Sequence, residues 1–336
     1  MKYVLLFSAF LFTLSCTTSD SSQPSDESDI IIQDNWTVSP DDIYGSNDPY
    51  PLIVNPEFTE ASTIDFLPPS SLVAIAKMND EIKVFPYEEI SIYESINDLM
   101  SNTQVAFTYC PQTKSGLFLD RASVNSETQL RASGYLYKDN LVAYDEATKT
   151  FWSQMLKTCI RGDCTELDFS HINFIETTWQ TVKTFFPEAM VYINPQLTHS
   201  SNPDDVDIPV KPYGILESDF KEEDLTAHLF NMDSFSDNIE LKSLTINSTD
   251  QSGKTVVVGS KNYHFITNFI TSNAVEFQAI QNEFPIIMSD NNGNTYDVFG
   301  YITEGPDMGQ KLNSQLAYFA LDWAWTLFFD TLIEQN

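Results

Sequence analysis

Short runs of β-forming residues, each ended by turn residues, do most to limit what this chain can fold into. The turns include Asn79-Asp80 and Lys138-Asp139-Asn140, residue types that favour tight connections. Strands that follow one another this closely favour antiparallel sheets. The 24 Phe and 15 Tyr supply enough large apolar side chains for a sizeable core. The β-type runs cover residues 72–76, 82–85, 105–109, 116–119, 134–137 and 142–144.

Helical patterns are few. Residues 176–186 predict a helix that Pro187 ends, because proline cannot continue a helix interior. The apolar run 315–329 contains Asp322 and is too short to cross a bilayer, so it predicts a buried terminal helix. Residues 88–100 fit either a short helix or a strand with a loop. The predicted fold class is therefore α+β with mostly antiparallel strands.

A diverged internal repeat is predicted from matches at a nearly constant offset. The segment from Asp145 to Phe151 is echoed 145 residues later by the segment from Asp290 to Tyr296. A Phe-Phe pair that ends the first helical pattern recurs 143 residues later. We therefore expect two pseudo-repeated halves, residues 50–193 and 213–336, each closing with a helix. A linker rich in Pro, Asn and Asp, residues 194–212, joins them.

The N-terminus predicts an exported lipoprotein. Lys2 precedes an apolar run from Val4 to Leu14, and a small residue stands before Cys16. Residues 1–15 form the expected signal peptide, and acylation of Cys16 would anchor the chain in a lipid bilayer. Ordinary secretion, with Cys16 inside the apolar run, is the alternative. Residues 16–49 are expected to form an acidic disordered tether and an irregular entry segment, with the folded domain starting near Tyr50.

The charge balance narrows the class of partner. With 48 acidic and 17 basic residues the net charge is −31, which excludes the basic face that nucleic acids require. An acidic tether behind a lipidated cysteine resembles the surface-export signal of Bacteroidota lipoproteins. We expect the outer membrane of a Gram-negative bacterium, on its periplasmic or surface face. The composition does not identify a protein or small-molecule partner.

A series of short motifs in a fixed order resembles one bacterial family. The resemblance covers most of residues 50–330 and is densest from Val84 to Gln154. The chain is similar to the family known as domain of unknown function 3179, which implies an architecture and no named reaction. The motifs begin Asn55-Pro-Glu-Phe58, Phe66-Leu-Pro68, Val84-Phe-Pro86, Ile96-Asn-Asp98, Val105-Ala-Phe-Thr-Tyr-Cys-Pro111 and Phe118-Leu-Asp-Arg121. They continue with Ser133-Gly-Tyr-Leu-Tyr137, Asn140-Leu-Val-Ala-Tyr-Asp145, Thr150-Phe-Trp-Ser-Gln154 and Thr177-Thr-Trp179.

Two departures from the family pattern concern residues with possible chemistry. The family's Cys-x-x-Cys is Cys110-Pro-Gln-Thr113 here, so its second Cys is a Thr. Its Trp-His-Glu is Ile92-Tyr93-Glu94, so its His is a Tyr. A His with Cys-x-x-Cys would suit a soft metal or thiol redox chemistry. The resemblance thus implies a degenerate site in this chain.

The candidate site residues follow from these motifs. The candidate catalytic residues are Cys110, Asp120, Arg121, Tyr137 and Gln154. Cys110 is either a packed buried thiol or a nucleophile, and His264, in the corresponding turn of the second half, could face it across a groove. Arg121 is expected in a buried ion pair with Asp145 or Glu94. A weaker metal set combines Cys110 with Cys159, Cys164 and His171.

The remaining cysteines are expected to bridge. An exported chain meets oxidising conditions, and Cys159 and Cys164 flank a turn. No resident cofactor is expected. The sequence leaves two functions open: a ligand-binding or interaction protein with a degenerate family site near Cys110, or a thiol-dependent enzyme or copper- or zinc-handling protein that uses Cys110.

Overall fold

A computed structural model describes residues 36–165, 167, 169–200, 206–217, 225–246 and 253–335. The expected signal peptide, Cys16 and residues 17–35 of the expected tether lie outside the described residues. In the described part of the chain, no helix is long and apolar enough to cross a membrane.

The chain up to residue 192 folds mainly into short strands. The strands are β1 (Ile43–Gly45), β2 (Phe58–Glu60), β3 (Leu72–Met78), β4 (Glu81–Pro86), β5 (Ser95–Met100), β6 (Thr103–Cys110), β7 (Ser115–Asp120), β8 (Leu130–Tyr137), β9 (Asn140–Asp145), β10 (Phe151–Ser153), β11 (Thr158–Arg161), β12 (Ser170–His171), β13 (Ile175–Thr178) and β14 (Met190–Tyr192). Two helices interrupt them, α1 (Tyr87–Ile90) and α2 (Trp179–Phe185).

The rest of the described chain is also built mainly of short strands. Its strands are β15 (Tyr213–Leu216), β16 (Thr226–Phe230), β17 (Glu240–Leu244), β18 (Lys254–Ser260), β19 (Phe265–Thr271), β20 (Phe277–Ala279), β21 (Ile286–Asp290), β22 (Thr295–Asp297), β23 (Ile302–Glu304), β24 (Ala317–Phe319) and β25 (Thr331–Gln335). One helix, α3 (Asp322–Phe328), lies between the last two strands.

Tight turns explain why neighbouring runs pair locally. Ser101 and Asn102 both take positive φ between β5 and β6, and Lys138 and Asp139 do so between β8 and β9. Two successive positive φ values match the right-handed twist of paired strands, so such two-residue turns close hairpins. The turns predicted at 79–80 and 138–140 are therefore confirmed as hairpin connections.

Six sheets result, named A to F here. Sheet A has the order β1-β8-β9-β10-β11, sheet B the order β12-β7-β6-β5, and sheet C the order β13-β3-β4-β14-β2. Sheet D has the order β24-β15-β16-β25, sheet E the order β17-β18-β19, and sheet F the order β20-β21-β22-β23. Pairing is antiparallel except where β14 joins β4 and β25 joins β16. The prediction of a mostly antiparallel β protein with few helices is confirmed.

Two large cores join the sheets. Apolar side chains of sheets C, E and F form one core, which includes Val84, Phe265 and Met288. Side chains of sheets A, B and D and of helix α3 form the other, which includes Trp152 and Trp325. A smaller core lies between sheets B and C, and another between sheets D and E. Every sheet therefore shares buried surface with sheets from distant parts of the sequence.

Several predicted bounds are corrected. Helix α2 starts at Trp179, because residues 175–178 are extended and pair with β3. The run 315–329 divides into β24 and α3, since its first part pairs with β15. Packed structure begins by Trp36, which pairs with Arg161, ahead of the start expected near Tyr50. Residues 36–49 therefore belong to the folded domain, in or against sheet A. Residues 16–35 remain the expected tether.

Candidate functional site

Cys110 is the last residue of β6, where the chain turns into β7, and its thiol is buried. Cys110 is 1% exposed and packs against Ala132 and Leu141. Its Sγ atom lies 3.9 Å from the backbone carbonyl oxygen of Asp139. Burial raises the pKa of the Cys110 thiol, which keeps it protonated. A nucleophilic cysteine needs the opposite, an accessible thiol with a lowered pKa, so Cys110 acts as a small core residue.

A polar network beside Cys110 occupies the position of the missing second cysteine. Asn140 Nδ2 donates to Thr113 Oγ1 at 2.9 Å and to Gln154 Oε1 at 2.8 Å. Gln154 Nε2 donates to the backbone carbonyl of Ser115 at 3.0 Å. All four side chains are buried and hydrogen-bonded to one another or to backbone. A buried network whose groups are satisfied stabilises the fold and leaves no polar group for a ligand.

The other candidate catalytic residues lie elsewhere. Asp120 ends β7, five residues from Ser115, which corresponds to about 16 Å along an extended strand. There its side chain accepts a hydrogen bond from the Ala122 backbone at 2.9 Å. Arg121, 5% exposed, donates to the carbonyls of Val105, Thr128 and Asp98. These carbonyl contacts replace the expected ion pair, and no single site contains Cys110 and Asp120.

The structure also places Tyr137 and the two remaining cysteines. Tyr137 packs edge-on against Phe328 with ring centroids 5.5 Å apart, and burial raises its pKa. Cys159 and Cys164 form a disulfide, as expected.

The proposed metal set is not assembled. The disulfide leaves neither Cys159 nor Cys164 as a thiolate ligand, and the His171 ring lies 3.2 Å from the carbonyl of Ser314. Within the described ranges, no group of three His, Cys, Asp or Glu could hold a metal ion. The copper or zinc set of Cys110 with these three residues is therefore wrong.

A buried ion pair in a different place forms the strongest candidate site. Lys211 Nζ lies 2.7 Å from Glu176 Oε2, and each side chain is 2% exposed. Tyr87 Oη donates to the same carboxylate oxygen at 2.6 Å. Lys211 also donates to the carbonyl of Lys114 at 3.1 Å. One carboxylate oxygen thus serves two donors in a region that water barely reaches.

The fold brings these groups together from four separate elements. Glu176 lies on β13, opposite Ala74 of β3, and Lys211 stands two residues before β15. Tyr87 is the first residue of α1, and its ring stacks on Tyr109 with centroids 4.3 Å apart. His264 lies in the turn between β18 and β19 with a φ of 47°. The turn that holds Cys110 adjoins this cluster through the carbonyl of Lys114.

The second oxygen of Glu176 is the feature that distinguishes this cluster. In the part of the chain that the structure describes, Glu176 Oε1 is buried and has no hydrogen-bond partner. Leaving a buried acceptor unpaired costs about 1–3 kcal/mol, and more when the group is charged. Native structures pair such atoms almost always.

A cleft opens beside Glu176. Its volume is about 370 Å³, at the lower end of the range for small-molecule sites. Glu176 and Lys211 contribute buried polar side chains, and the half-buried His264 adds a third polar group. Its walls are mainly apolar and include Ile208, Pro209, Val210, Met232 and Phe319. An apolar cleft with a few converging polar groups is the usual form of a small-molecule site.

Burial controls the charge states in the cleft. It lowers the pKa of Lys211, although the adjacent Glu176 opposes this effect. It also lowers the pKa of His264, which keeps the imidazole neutral near pH 7. The pKa of Tyr87 is raised well above its usual value by burial and by the neighbouring carboxylate. The described residues that line the cleft include no serine or cysteine.

Sequence reasoning missed most of this site. Glu176 was assigned to a helix, and neither Tyr87 nor Lys211 was singled out. The available signal was Lys211 itself, because the chain has only 17 basic residues and this one lies between Val210 and Pro212. His264 was expected to face Cys110. It lines the cleft with Glu176 and Lys211 instead.

The fold and site define an α+β protein, mostly of antiparallel strands. A cleft of small-molecule size adjoins its buried Glu176–Lys211 ion pair. The chain belongs to the family described as protein of unknown function (DUF3179), whose model matches residues 47–331. Comparisons with curated proteins and with solved structures found no match.

Proposed function

We propose that this chain is an exported lipoprotein, anchored through Cys16, whose folded domain binds a small molecule in the cleft beside Glu176. The observation that carries the binding proposal is Glu176 Oε1, a buried carboxylate oxygen that lacks a partner among the described residues. Glu176 also lines a cleft of suitable size whose walls are mainly apolar. A ligand donor at this oxygen would remove the cost of leaving it unpaired.

The proposal treats the Cys110 region as a degenerate family site that now serves structure. Cys110 is buried, and Thr113 joins a network with Asn140 and Gln154. Neither property suits the alternative of a thiol-dependent enzyme, which requires an accessible thiolate. We therefore assign the binding role to the cleft beside Glu176 and not to the Cys110 region.

A similar strand arrangement in sheets C and D supports a site at this position. The pairing β13-β3-β4-β14 in sheet C has the same order and strand directions as β24-β15-β16-β25 in sheet D. In each case a helix of seven residues joins the outer two strands. We infer two diverged halves, and the cleft takes Glu176 from the first and His264 from the second.

Export and anchoring rest on the N-terminal pattern and on the charge. The acidic segment after Cys16 and the net charge of −31 would hold the domain away from anionic headgroups. We propose an outer-membrane location in a Gram-negative host. Membrane fractionation tests this: the unmodified chain should be found with membranes and a Cys16→Ser variant should be released. Equal membrane retention of both would contradict the anchor.

Methyl NMR of methionine tests the binding function. Met232 lines the cleft, whereas Met308 is 72% exposed and is not among the cleft residues, so one labelling scheme gives a reporter and a control. Small-molecule fragments should shift the Met232 methyl signal and leave Met308 unchanged. A triple variant, Tyr87→Phe with Glu176→Leu and Lys211→Met, removes the polar cluster and should lose these shifts. A screen whose binders never move Met232 would contradict the proposal.

A further inference from the structure

The charges around the cleft cancel. Glu176 and Lys211 form a pair at 2.7 Å with side chains 2% exposed, so neither charge acts alone on a ligand. Burial keeps His264 neutral. Asp233 also lines the cleft, but its side chain is 91% exposed and lies 3.1 Å from Lys261 Nζ. A charged ligand would lose its hydration here without an opposite net charge to compensate.

The free oxygen still requires a hydrogen-bond donor. A carboxylate oxygen only accepts, so the group that meets Glu176 Oε1 must carry an O–H or N–H. A ligand carboxylate or phosphate would place an acceptor against an acceptor. An ammonium group would meet the repulsion of Lys211, which is held within hydrogen-bond distance of the same carboxylate. Only an uncharged donor avoids both costs.

The apolar walls of the cleft determine the chemistry of the rest of the ligand. Val210, Met232 and Phe319 are apolar and Ile208 and Pro209 extend the same surface. Contact with these side chains favours an apolar body, because apolar surface removed from water is stabilised in proportion to its area. The volume of about 370 Å³ limits that body to a small molecule.

We infer that the ligand is a small uncharged molecule with an apolar body and one hydroxyl or amide N–H that donates to Glu176 Oε1. This inference rests on the proposed binding function, since it specifies the ligand of the same cleft. It excludes amines, carboxylates and phosphates as the preferred class.

Three probes that differ in one group test the class. Benzyl alcohol, benzylamine and benzoate share a ring and present a hydroxyl, an ammonium and a carboxylate. Each is titrated into the full chain carrying Cys16→Ser, with the Met232 methyl signal as readout and Met308 as control. Benzyl alcohol should bind with a dissociation constant of about 1–10 mM, as expected for a ligand of eight heavy atoms. Benzylamine and benzoate should bind at least tenfold more weakly.

The outcomes separate the two proposals. If benzylamine or benzoate shifts Met232 as readily as benzyl alcohol does, the cleft binds ligands but the inferred class is wrong. If none of the three moves Met232, the inferred class fails, and a wider screen that also leaves Met232 unmoved ends the binding proposal. In the triple variant the preference for benzyl alcohol should disappear. Retention of that preference would show that Glu176 does not select the ligand.

Discussion

At the scale of single residues, the Glu176–Lys211 pair shows how a buried charge constrains a fold. Removing two charges from water is costly, and their mutual attraction at 2.7 Å repays that cost only when both are present. Tyr87 adds a hydrogen bond to the same oxygen at 2.6 Å. A single substitution in the pair should therefore destabilise the fold. Replacing the whole pair with apolar residues should be tolerated.

We predict that Glu176→Gln lowers the free energy of unfolding by about 3–5 kcal/mol, because it leaves Lys211 buried without a counter-charge. The triple variant with Tyr87→Phe, Glu176→Leu and Lys211→Met should stay within about 1 kcal/mol of the unmodified chain, because matched apolar residues replace the whole cluster. Urea unfolding followed by fluorescence measures both. A triple variant that is less stable than Glu176→Gln would contradict this reasoning.

Glu94 should give folding stability a distinctive pH dependence. Burial raises its pKa from 4.5 to about 7. Because the folded state holds this proton more tightly, the stability contributed by Glu94 is fully present below about pH 4.5 and is lost as the pH rises through 7. Glu94→Gln should match the unmodified chain near pH 4 and exceed its unfolding free energy by about 2–3 kcal/mol at pH 8.

The control for this prediction is Glu127→Gln, at an exposed glutamate. Glutamine at position 94 also keeps the left-handed backbone strain of the original residue, whose φ is 60°. Unfolding free energies at the two pH values, measured for all three chains, decide the matter. A Glu94→Gln variant that shows the same pH dependence as the unmodified chain would show that Glu94 titrates normally.

The environment of Cys110 predicts slow chemistry at this thiol. The side chain is 1% exposed and burial raises its pKa. In a chain with Cys16→Ser, alkylation at pH 8 should be at least about 100-fold slower in the native state than in urea, because the reactive thiolate is scarce and shielded. Rapid native labelling at Cys110, located by mass spectrometry, would instead revive the thiol-dependent enzyme.

At the scale of secondary-structure elements, helix α3 is held against sheet D by a close contact with a glycine. A Cβ atom on Gly214 of β15 would lie 2.3 Å from the six-membered ring of Trp325. Trp325 is fully buried, and its indole N–H donates to the carbonyl of Ala320 at 3.2 Å. The ring therefore has little freedom to move away.

We predict that Gly214→Ala lowers the free energy of unfolding by about 2–3 kcal/mol through overpacking. In a Trp325→Phe background, which removes the ring that blocks the Cβ, the same substitution should cost at least about 1 kcal/mol less. A double-mutant cycle from urea unfolding measures this coupling. Additive effects would show that the helix shifts to accommodate the methyl group.

Elements were predictable where their causes are local. The six β-type runs and the turns at residues 79–80 and 138–140 follow from residue preferences within a few positions. Pairing between β13 and β3 joins residues about a hundred positions apart, and no local pattern specifies it. This is why Glu176 was placed on a helix: its segment runs directly into α2 in the sequence, but tertiary pairing makes it extended.

At the scale of the whole molecule, the sequence predicted the class of fold and left the site undefined. Cys110 and Gln154 were predicted as candidate catalytic residues, and Gln154 lies in a satisfied, structural network with Ser115 and Asn140. The cleft depends on Tyr87, Glu176, Lys211 and His264, which lie on four elements spread over the chain. Only the assembled fold shows that Glu176 Oε1 has no donor among the described residues.

The net charge is also a property of the whole molecule. A net charge of −31 gives the whole domain a negative field, while the cleft itself is close to neutral. The field keeps acidic molecules and anionic surfaces at a distance, so an uncharged ligand suits the exterior as well as the cleft.

The most direct measurement is a crystal structure of the chain soaked with benzyl alcohol. The account predicts the hydroxyl oxygen about 2.5–3.0 Å from Glu176 Oε1, with the ring against Val210, Met232 and Phe319. A structure in which a protein group donates to Glu176 Oε1, or in which the alcohol lies only outside the cleft, would contradict it.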